Sequence, residues 1–403
     1  MSAAVTVRLG DVATFIRGIT FKPEDVVPVG TPGTVACMRT KNVQAELDLS
    51  DVWGVADALV KRDDQYLHER DILVSSANSW NLVGKCCWIP SIPWRATFGG
   101  FVSVLRADPS RIDARYLFHW FGSGRIQATV RSFGQQTTNI SNLNIERCLN
   151  QLLLLPPLPE QRRIAEVLDR AEALRAKRRA ALAQLDTLTQ SIFLDMFGDP
   201  ATNPKGWPRR TLGELIIVGP QNGLYKPADD YGTGTPILRI DAFYDGAVTK
   251  LATLKRVRLS LQEQEVYALR EGEIVINRVN SPEYLGKSAV IPILHETTVF
   301  ESNMMRFDVD RDVLHPQYLI EYLQTRFVRA HILRSAKDAV NQSSINQQDV
   351  KAIPLVVPPF STQRVFAQRV GATDRLKGMY VASRADLNSL FASLQHRAFR
   401  GNL

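Results

Sequence analysis

Cysteine and histidine are scarce in this 403-residue chain, and neither is arranged as a set of metal ligands. The four cysteines (Cys37, Cys86, Cys87 and Cys148) form no C-x-x-C pair, and the histidines form no H-E-x-x-H motif. The usual spacings of a zinc site are therefore excluded. So few, unpaired thiols are typical of the reducing cytosol, and we expect a cytoplasmic protein without a structural metal.

Long hydrophobic runs are also missing. No apolar stretch is long enough for a membrane-spanning helix, and the first residues, MSAAVTVRLGDV, lack the basic and apolar regions of a secretory signal. The composition, 45% hydrophobic and 22% charged, is typical of a globular protein. A chain of this length predicts two or three domains.

Motifs for catalysis are absent as well. The chain has no G-x-x-x-x-G-K-[ST] loop for ATP, and TNPKGW at Thr202 keeps only the Asn-Pro of an adenine methyltransferase motif. One D-x-K triplet, Asp349–Lys351, could serve a nuclease, but its counterpart in the repeat described next, Arg147–Leu149, lacks both groups. We therefore predict a non-catalytic chain.

The strongest positive signal is an internal repeat at an offset of 202 residues, the separation of Pro156 from Pro358. A single offset held across many separated positions indicates a tandem duplication. The pairs at this offset include Tyr116 and Tyr318, Gln161 and Gln363, Asn144 and Asn346, Gly84-Lys85 and Gly286-Lys287, and Asn78-Ser79 and Asn280-Ser281.

Each copy begins with short β-branched or aromatic runs separated by Gly, Pro, Asn and Ser, and continues with one helical segment. This pattern predicts a mixed α+β globule of about 150 residues. A double proline then ends the last strand, because proline cannot donate to a β-ladder. The predicted segments are a globule at 1–155, a helical region at 156–200, a second globule at 201–357 and a second helical region at 358–403.

The two helical regions carry apolar residues at alternating spacings of three and four, as in a coiled coil. We predict that they pair with each other antiparallel, as rods roughly 50 Å long that hold the globules apart about a pseudo-two-fold axis. Pairing with a partner protein is compatible with this arrangement. The predicted seam residues are Ile164, Val167, Leu174, Leu185, Leu188 and Ile192 in the first helix, and Phe366, Leu376, Leu387, Leu390 and Leu394 in the second.

With "PPLPEQRRIAEVLD" at the first junction and "LFASLQHRAFRGNL" at the end, this order of globules and helices resembles the DNA-specificity subunit of type I restriction–modification systems. The resemblance covers essentially the whole chain, although Ser361, Thr362 and Gln363 replace the junction's Pro-Glu-Gln in copy two. It implies that each globule is a target recognition domain for one half of an asymmetric, split DNA sequence. It also implies two docked methyltransferase subunits that use S-adenosylmethionine, and restriction subunits that use ATP and Mg²⁺, with no cofactor on this chain.

A net charge of +8 and a pI near 9.3 agree with a polyanionic partner such as DNA. Loop residues able to bind phosphates or base edges are the candidates for contact. Each also has a structural interpretation, as an ordinary turn residue or a solvated lysine. The candidates are Arg39, Lys41, Asn42, Asn78, Ser79, Lys85, Gln135 and Gln136 in copy one, and Arg239, Asn277, Arg278, Asn280, Lys287, Asn341 and Gln342 in copy two.

A rival hypothesis is a coiled-coil adaptor that spaces two proteins without reading DNA. It predicts weak, sequence-indifferent DNA binding. An enzyme with an unfamiliar site would need a charged cluster that the sequence does not offer.

Overall fold

A computed structural model of the chain describes residues 4–136, 140–339 and 342–403, with only the backbone at 135, 136, 338 and 339. The described residues form two compact units. Unit 1 comprises the residues up to Ala180 together with Val381–Leu403, and unit 2 comprises Ala181–Tyr380. The two long helices are therefore each shared between the units.

Unit 1 contains three short helices and part of a long one: α1 (Ala114–Phe121), α2 (Gly124–Ser132), α3 (Ile145–Leu149) and α4 (Leu158–Phe197), of which residues up to Ala180 belong to it. Its strands are β1 (Val5–Arg8), β2 (Ala13–Arg17), β3 (Val27–Pro28), β4 (Thr34–Met38), β5 (Trp53–Ala56), β6 (Ile72–Ser75), β7 (Ala77–Asn78), β8 (Cys86–Trp88), β9 (Ala96–Phe98), β10 (Val102–Ala107), β11 (Gln135–Gln136), β12 (Ser141–Asn142) and β13 (Leu152–Leu155).

The strands of unit 1 form four small sheets, in the orders β1-β13, β2-β10-β6-β8, β3-β5-β4-β9 and β11-β12-β7. The pairs are antiparallel except β4 with β9, which is parallel. A core that includes Leu105, Tyr116 and Phe121 packs the second sheet against α1 and α2. These buried side chains come from the strand and helix patterns that predicted an α+β globule.

Unit 2 contains α5 (Leu261–Tyr267), α6 (Pro316–Leu323), α7 (Arg326–Ser335), α8 (Gln347–Lys351) and α9 (Phe360–Ala398), the last of which passes to unit 1 after Tyr380. Its strands are β14 (Arg209–Thr211), β15 (Ile216–Asn222), β16 (Tyr231–Leu238), β17 (Phe243–Tyr244), β18 (Gly246–Val248), β19 (Lys255–Val257), β20 (Ile274–Asn277), β21 (Val279–Asn280), β22 (Ser288–Val290), β23 (Val299–Phe300), β24 (Met304–Val309), β25 (Lys337–Ala339), β26 (Gln342–Ser344) and β27 (Pro354–Val356).

The sheets of unit 2 have the orders β14-β27, β15-β24-β20-β22-β18-β17, β19-β16-β23 and β21-β26-β25. They resemble those of unit 1, but the second sheet has two more strands and the third has one fewer. Strands β16 and β23 are parallel, as β4 and β9 are in unit 1. The single helix expected in each copy is divided in two, at Gly122–Ser123 and at Gln324–Thr325. In copy two the hydroxyl of Thr325 caps the new helix by accepting a hydrogen bond from the Val328 amide.

The junction between globule and long helix is built identically in the two copies, around a buried glutamine. The Gln161 side chain accepts from the Asp113 amide at 2.7 Å and donates to the carbonyls of Arg111 and Pro156. Gln363 accepts from the His315 amide at 2.9 Å and donates to the carbonyls of Val313 and Pro358. The recurrence of this amide at the offset is therefore explained: it bonds the start of each long helix to the start of α1 or α6.

The two long helices pack against each other antiparallel within each unit, which confirms that part of the predicted fold. In unit 1 the Arg175 guanidinium of α4 bonds Asn388 of α9 at 2.8 Å. In unit 2 Lys377 of α9 pairs with Asp186 of α4 at 2.6 Å, and the Phe193 and Phe366 rings lie 5.7 Å apart.

The buried seam of these helices differs from the predicted one. Leu174, Leu188, Leu376 and Leu390 are 38–54% exposed, so the prediction that they pack in the seam is wrong. Each long helix also packs against a globule at both of its ends, so a different face is buried. The residues buried on that face include Leu168, Leu182, Phe193, Val370 and Thr373. Of the other predicted positions, Ile164, Leu185 and Phe366 are buried, and Val167, Ile192, Leu387 and Leu394 are half-buried.

Candidate nucleic-acid interface

In unit 1 two separate loops are joined by one short crossing segment, Gly99–Phe101. The Gly99 amide donates to the carbonyl of Met38, which precedes Arg39. The Phe101 carbonyl accepts from the amides of Ser76 and Ala77, which precede Asn78. The loop after β4 and the loop after β6 are thereby held side by side.

The third predicted loop of unit 1 reaches the same place through strand pairing. Strand β7 pairs with β12, and β12 pairs with β11, so Gln135 and Gln136 lie two strands from Asn78. The amide-rich segment is thus next to the other candidates along the backbone. The side chains of these two glutamines lie outside what the structure describes.

Unit 2 repeats this convergence. The Glu301 amide donates to the Leu238 carbonyl, and the Asn303 carbonyl accepts from the amides of Arg278 and Val279. Strand β21 pairs with β26, which places Ser343 opposite Asn280, and Gln342 is the next residue of β26. Asn341 lies outside the described residues. We call these loop clusters the loop faces: residues 39–44, 76–82 and 99–101 in unit 1, and residues 239–244, 278–284 and 301–303 in unit 2.

The candidates after β4 are largely bound within unit 1. The Arg39 guanidinium lies 3.4 Å from the Trp53 ring centroid and pairs with Asp51 at 3.0 Å. Asn42 is buried, and its amide bonds the Arg39 backbone and the carbonyls of Asp48 and Asp51. Lys41 is exposed and pairs with Asp51 at 2.7 Å, a pair that solvent weakens. Of these three, only Lys41 presents its charge to solvent.

The candidates near the Gly-Lys pair of unit 1 also make internal contacts. The Asn78 side chain bonds Ser75 and accepts from the Ser79 amide, and the Ser79 hydroxyl donates to Asn81. Lys85 donates to the Gln44 side chain at 2.6 Å, across to the loop after β4. These contacts shape the loop face, and the exposed Ser79 and the half-buried Lys85 lie at its surface.

In unit 2 burial separates the candidates more sharply. Asn277 is buried and bonds the Tyr284 carbonyl, which argues for a structural role. Arg278 donates to the Ser302 carbonyl, and Asn280 accepts from the Ser281 amide. Lys287 donates to the Ile240 carbonyl and lies 3.9 Å from the Tyr244 ring centroid, where burial lowers its pKa. Arg239 and Gln342 remain open to solvent, Arg239 in part.

Three large aromatic side chains on or beside the loop faces were not predicted. Phe101 is 63% exposed, Trp80 is 55% exposed, and Tyr225, next to the loop face of unit 2, is 77% exposed. Large exposed rings are uncommon and often mark binding surfaces, because they can stack on a partner. The sequence offered a signal for Phe101, an aromatic that follows Gly-Gly, but burial decides whether such a ring is core or surface.

Neither unit shows a metal centre or a membrane span in the part of the chain that is described. No group of three or more His, Cys, Asp or Glu side chains there is placed to hold an ion. No described helix is long and apolar enough to cross a bilayer.

Comparisons with known proteins agree with this geometry. Residues 1–184 match the family model of the type I restriction modification DNA specificity domain. The chain is 26% identical to the type I restriction enzyme EcoKI specificity subunit of Escherichia coli (strain K12), over 97% of this chain and 87% of the relative. It is 26% identical to the StySPI specificity subunit of Salmonella potsdam, over 99% and 89%.

Solved structures support the same fold. One chain, from work on complex assembly and conformational transition of the type I R-M system, superimposes with a TM-score of 0.62 at 19% identity, covering 100% of this chain and 99% of that one. The type I restriction-modification S subunit from M. genitalium gives 0.57 at 14% identity, covering 98% and 96%. The resemblance predicted from the sequence is confirmed: the chain is similar to type I specificity subunits over nearly its full length.

Proposed function

We propose that this chain selects the DNA target of a type I restriction–modification complex, with each loop face reading one half of a bipartite, asymmetric sequence. The observation that carries the proposal is the duplicated loop face. Two copies hold the same three loops on the same backbone hydrogen bonds, yet they present different side chains at the surface. Two readers with different side chains fit two different half-sites.

The chemistry of the loop faces supports DNA as the ligand. Exposed lysine and arginine side chains bind phosphates, while arginine, asparagine and glutamine recognise base edges. Lys41 can supply a phosphate contact, and partly exposed Arg239 and exposed Gln342 can supply groups for base edges. Half-buried Lys287 and buried Asn277 are better explained as supports of these loops.

The methyl transfer and the cleavage belong, in this proposal, to partner subunits. Methyltransferase subunits carry S-adenosylmethionine, and restriction subunits carry ATP and Mg²⁺. The exposed leucines of the long helices, Leu174 and Leu390 in unit 1 and Leu188 and Leu376 in unit 2, are suitable apolar contacts for the methyltransferase subunits. Replacing them with glutamate should abolish co-purification of those subunits while the isolated chain keeps its melting temperature.

Footprinting of the complex of this chain with its methyltransferase subunits tests the DNA-reading function. We expect two protected blocks on a cognate duplex, separated by an unread gap, with affinity that falls steeply as salt rises because phosphate contacts release counterions. One continuous protected block, or equal protection of unrelated duplexes, would contradict the proposal.

A domain exchange separates this function from that of a spacing adaptor. Residues 1–155 are replaced with those of a relative of different specificity, and adenine methylation is mapped across a genome. We expect one half of the methylated motif to change while the other half is retained. An adaptor that reads no DNA would leave the motif unchanged.

A further inference from the structure

Arg39 and Arg239 occupy the same place in the two copies. In unit 1 the parallel register pairs Met38 with Phe98, so Arg39 follows beside Gly99. In unit 2 it pairs Leu238 with Phe300, so Arg239 follows beside Glu301. The backbone is shared, but the neighbour of the arginine is a glycine in one copy and a glutamate in the other.

In unit 2 the glutamate holds the arginine by one nitrogen only. The Glu301 carboxylate is buried, accepts from the Ile240 amide at 2.8 Å, and accepts from Arg239 Nε at 3.1 Å. The two terminal nitrogens of Arg239 form no hydrogen bond within the described residues. Arg239 lines a cleft of about 560 Å³ whose other lining residues include Tyr225, Lys255 and Asn303.

In unit 1 the equivalent arginine is held at a terminal nitrogen instead, and its buried Nε forms no hydrogen bond within the described residues. A terminal nitrogen of Arg39 bonds both the Asp51 carboxylate and the Asp51 carbonyl at 3.0 Å, and the guanidinium stacks on Trp53. A Cβ placed on Gly99 would lie 3.3 Å from the Phe21 ring, so that ring lies close to the position from which the Glu301 side chain extends in unit 2. The Arg39 side chain is 18% exposed, against 33% for Arg239.

We infer that Arg239 is a specificity-determining residue that reads a guanine in the half-site bound by unit 2, and that Glu301 positions it. A guanidinium held at Nε keeps both terminal nitrogens as a fork, and this fork matches the O6 and N7 acceptors of guanine in the major groove. Exposed Tyr225 and Lys255 at the rim of the cleft are placed to contact the adjacent sugar-phosphate backbone. This inference rests on the proposed DNA-reading function.

The charge of the pair favours a base edge over a phosphate. Arg239 and Glu301 together are neutral, and the buried carboxylate would repel a phosphate brought against the guanidinium. A guanine edge carries no net charge, so the same carboxylate repels it far less than a phosphate. Arg39 pairs with Asp51 as well, but it has no free fork to offer.

The test uses the complex of the full chain with its methyltransferase subunits and a library of duplexes in which each base pair of both half-sites is varied. Competitive binding gives the preference at every position for the wild type and for Arg239→Lys, which keeps the charge but not the fork. We expect a roughly 5- to 100-fold loss of preference at one G·C pair in one half-site, the value of a bidentate contact. The other positions should be unchanged.

Two further variants make the test specific. Glu301→Gln keeps an acceptor for the Ile240 amide but frees the arginine, so preference should fall at the same base pair, by less. Arg39→Lys, the same substitution in the other copy, should lower the melting temperature and leave every preference in place. A loss of preference at any base pair in Arg39→Lys would refute the distinction between the copies.

The outcomes separate this inference from the function on which it rests. If the wild-type complex shows no sequence preference, the DNA-reading function fails, and the role of Arg239 fails with it. If the wild type reads two half-sites but Arg239→Lys keeps every preference, only the inference fails. If Arg239→Gln, which removes the charge, weakens binding equally on all duplexes and makes the salt slope smaller by about one, Arg239 is a phosphate contact and the inference is also overturned.

Discussion

Replacing the buried junction glutamine of unit 2 should destabilise that unit strongly. The Gln363 side chain makes three hydrogen bonds with no exposure to solvent: one from the His315 amide, and one each to the carbonyls of Val313 and Pro358. Gln363→Ala leaves one buried donor and two buried acceptors without their partner. A buried polar group left unpaired costs about 1–3 kcal/mol.

Some of that cost is offset, because alanine loses no side-chain rotamer freedom on folding, whereas glutamine loses about 1.5–2 kcal/mol. Water entering the space can also satisfy one of the carbonyls. We therefore expect a net loss of about 2–4 kcal/mol in the free energy of unfolding. Gln161→Ala should cost slightly less in unit 1, because its bond to the Arg111 carbonyl is long, at 3.3 Å.

Thermal unfolding and amide hydrogen exchange of the whole chain provide the measurements. Exchange should accelerate at the first turn of α6, whose start the glutamine holds. Gln363→Met, which keeps the volume but none of the bonds, should resemble Gln363→Ala, whereas Gln368→Ala, an exposed position on the same helix, should be neutral. If Gln363→Ala and Gln368→Ala unfold alike, the junction is held by packing alone and the argument is refuted.

Three further perturbations follow from the packing and charge of the two units. Burial, and then the nearby Asp374, raise the pKa of Glu321 from 4.5 to about 7. Unit 2 should therefore lose about 1–3 kcal/mol of stability as the pH rises from about 4.5 to 7. Urea unfolding at pH 5 and pH 8 should show this loss in the wild type and a smaller one in Glu321→Gln. Gly286→Ala should lower the free energy of unfolding by about 2–4 kcal/mol, because φ is +75° and the new Cβ would lie 2.5 Å from Ile332. Thermal unfolding measures the loss, and Gly378→Ala, in open space on α9, is the control. Trp80→Ala and Phe101→Ala should each weaken binding of the complex to its target several-fold at an unchanged melting temperature. Leu152→Ala, at another exposed apolar residue, should leave the affinity unchanged. Equal affinities for all three variants would exclude the two rings from the interface.

The architecture could be predicted from the sequence because the duplication is visible there as a repeat of the same residues at one offset. Recurrence of the double proline, of Gln161 and Gln363, and of the capping Asn144 and Asn346 depends on local structure that each copy must rebuild. The helical seam was predicted less well. Leu174 and Leu390 follow a two-helix spacing, but a helix that also packs on a globule buries a different stripe, and spacing alone does not report that third surface.

The loop faces lay beyond sequence reasoning for a different reason. They form through parallel pairing of strands far apart in the chain, β4 with β9 and β16 with β23, and no short-range pattern fixes such a register. The sequence therefore marked Arg39 and Arg239 as candidates of equal standing. Their difference comes from residues about 60 positions away, Gly99 and Glu301, which only the fold brings alongside.

This contrast suggests which side chains in a duplicated reader carry specificity. The candidates that recur at the offset form hydrogen bonds within their own unit. These are Lys85 with Lys287 and Asn78 with Asn280. Positions that differ between the copies carry the side chains that remain available: an exposed phenylalanine at 101 where copy two has Asn303, and a glutamate-held arginine where copy one has a stacked one. The internal hydrogen bonds that hold the loops must be kept in every variant. Recognition can therefore change without loss of stability only at side chains that do not form these bonds. New specificity should therefore be sought where internal hydrogen bonds leave a loop-face side chain free, as at Phe101 and Arg239, and substitutions at Lys85 and Lys287 should change stability first.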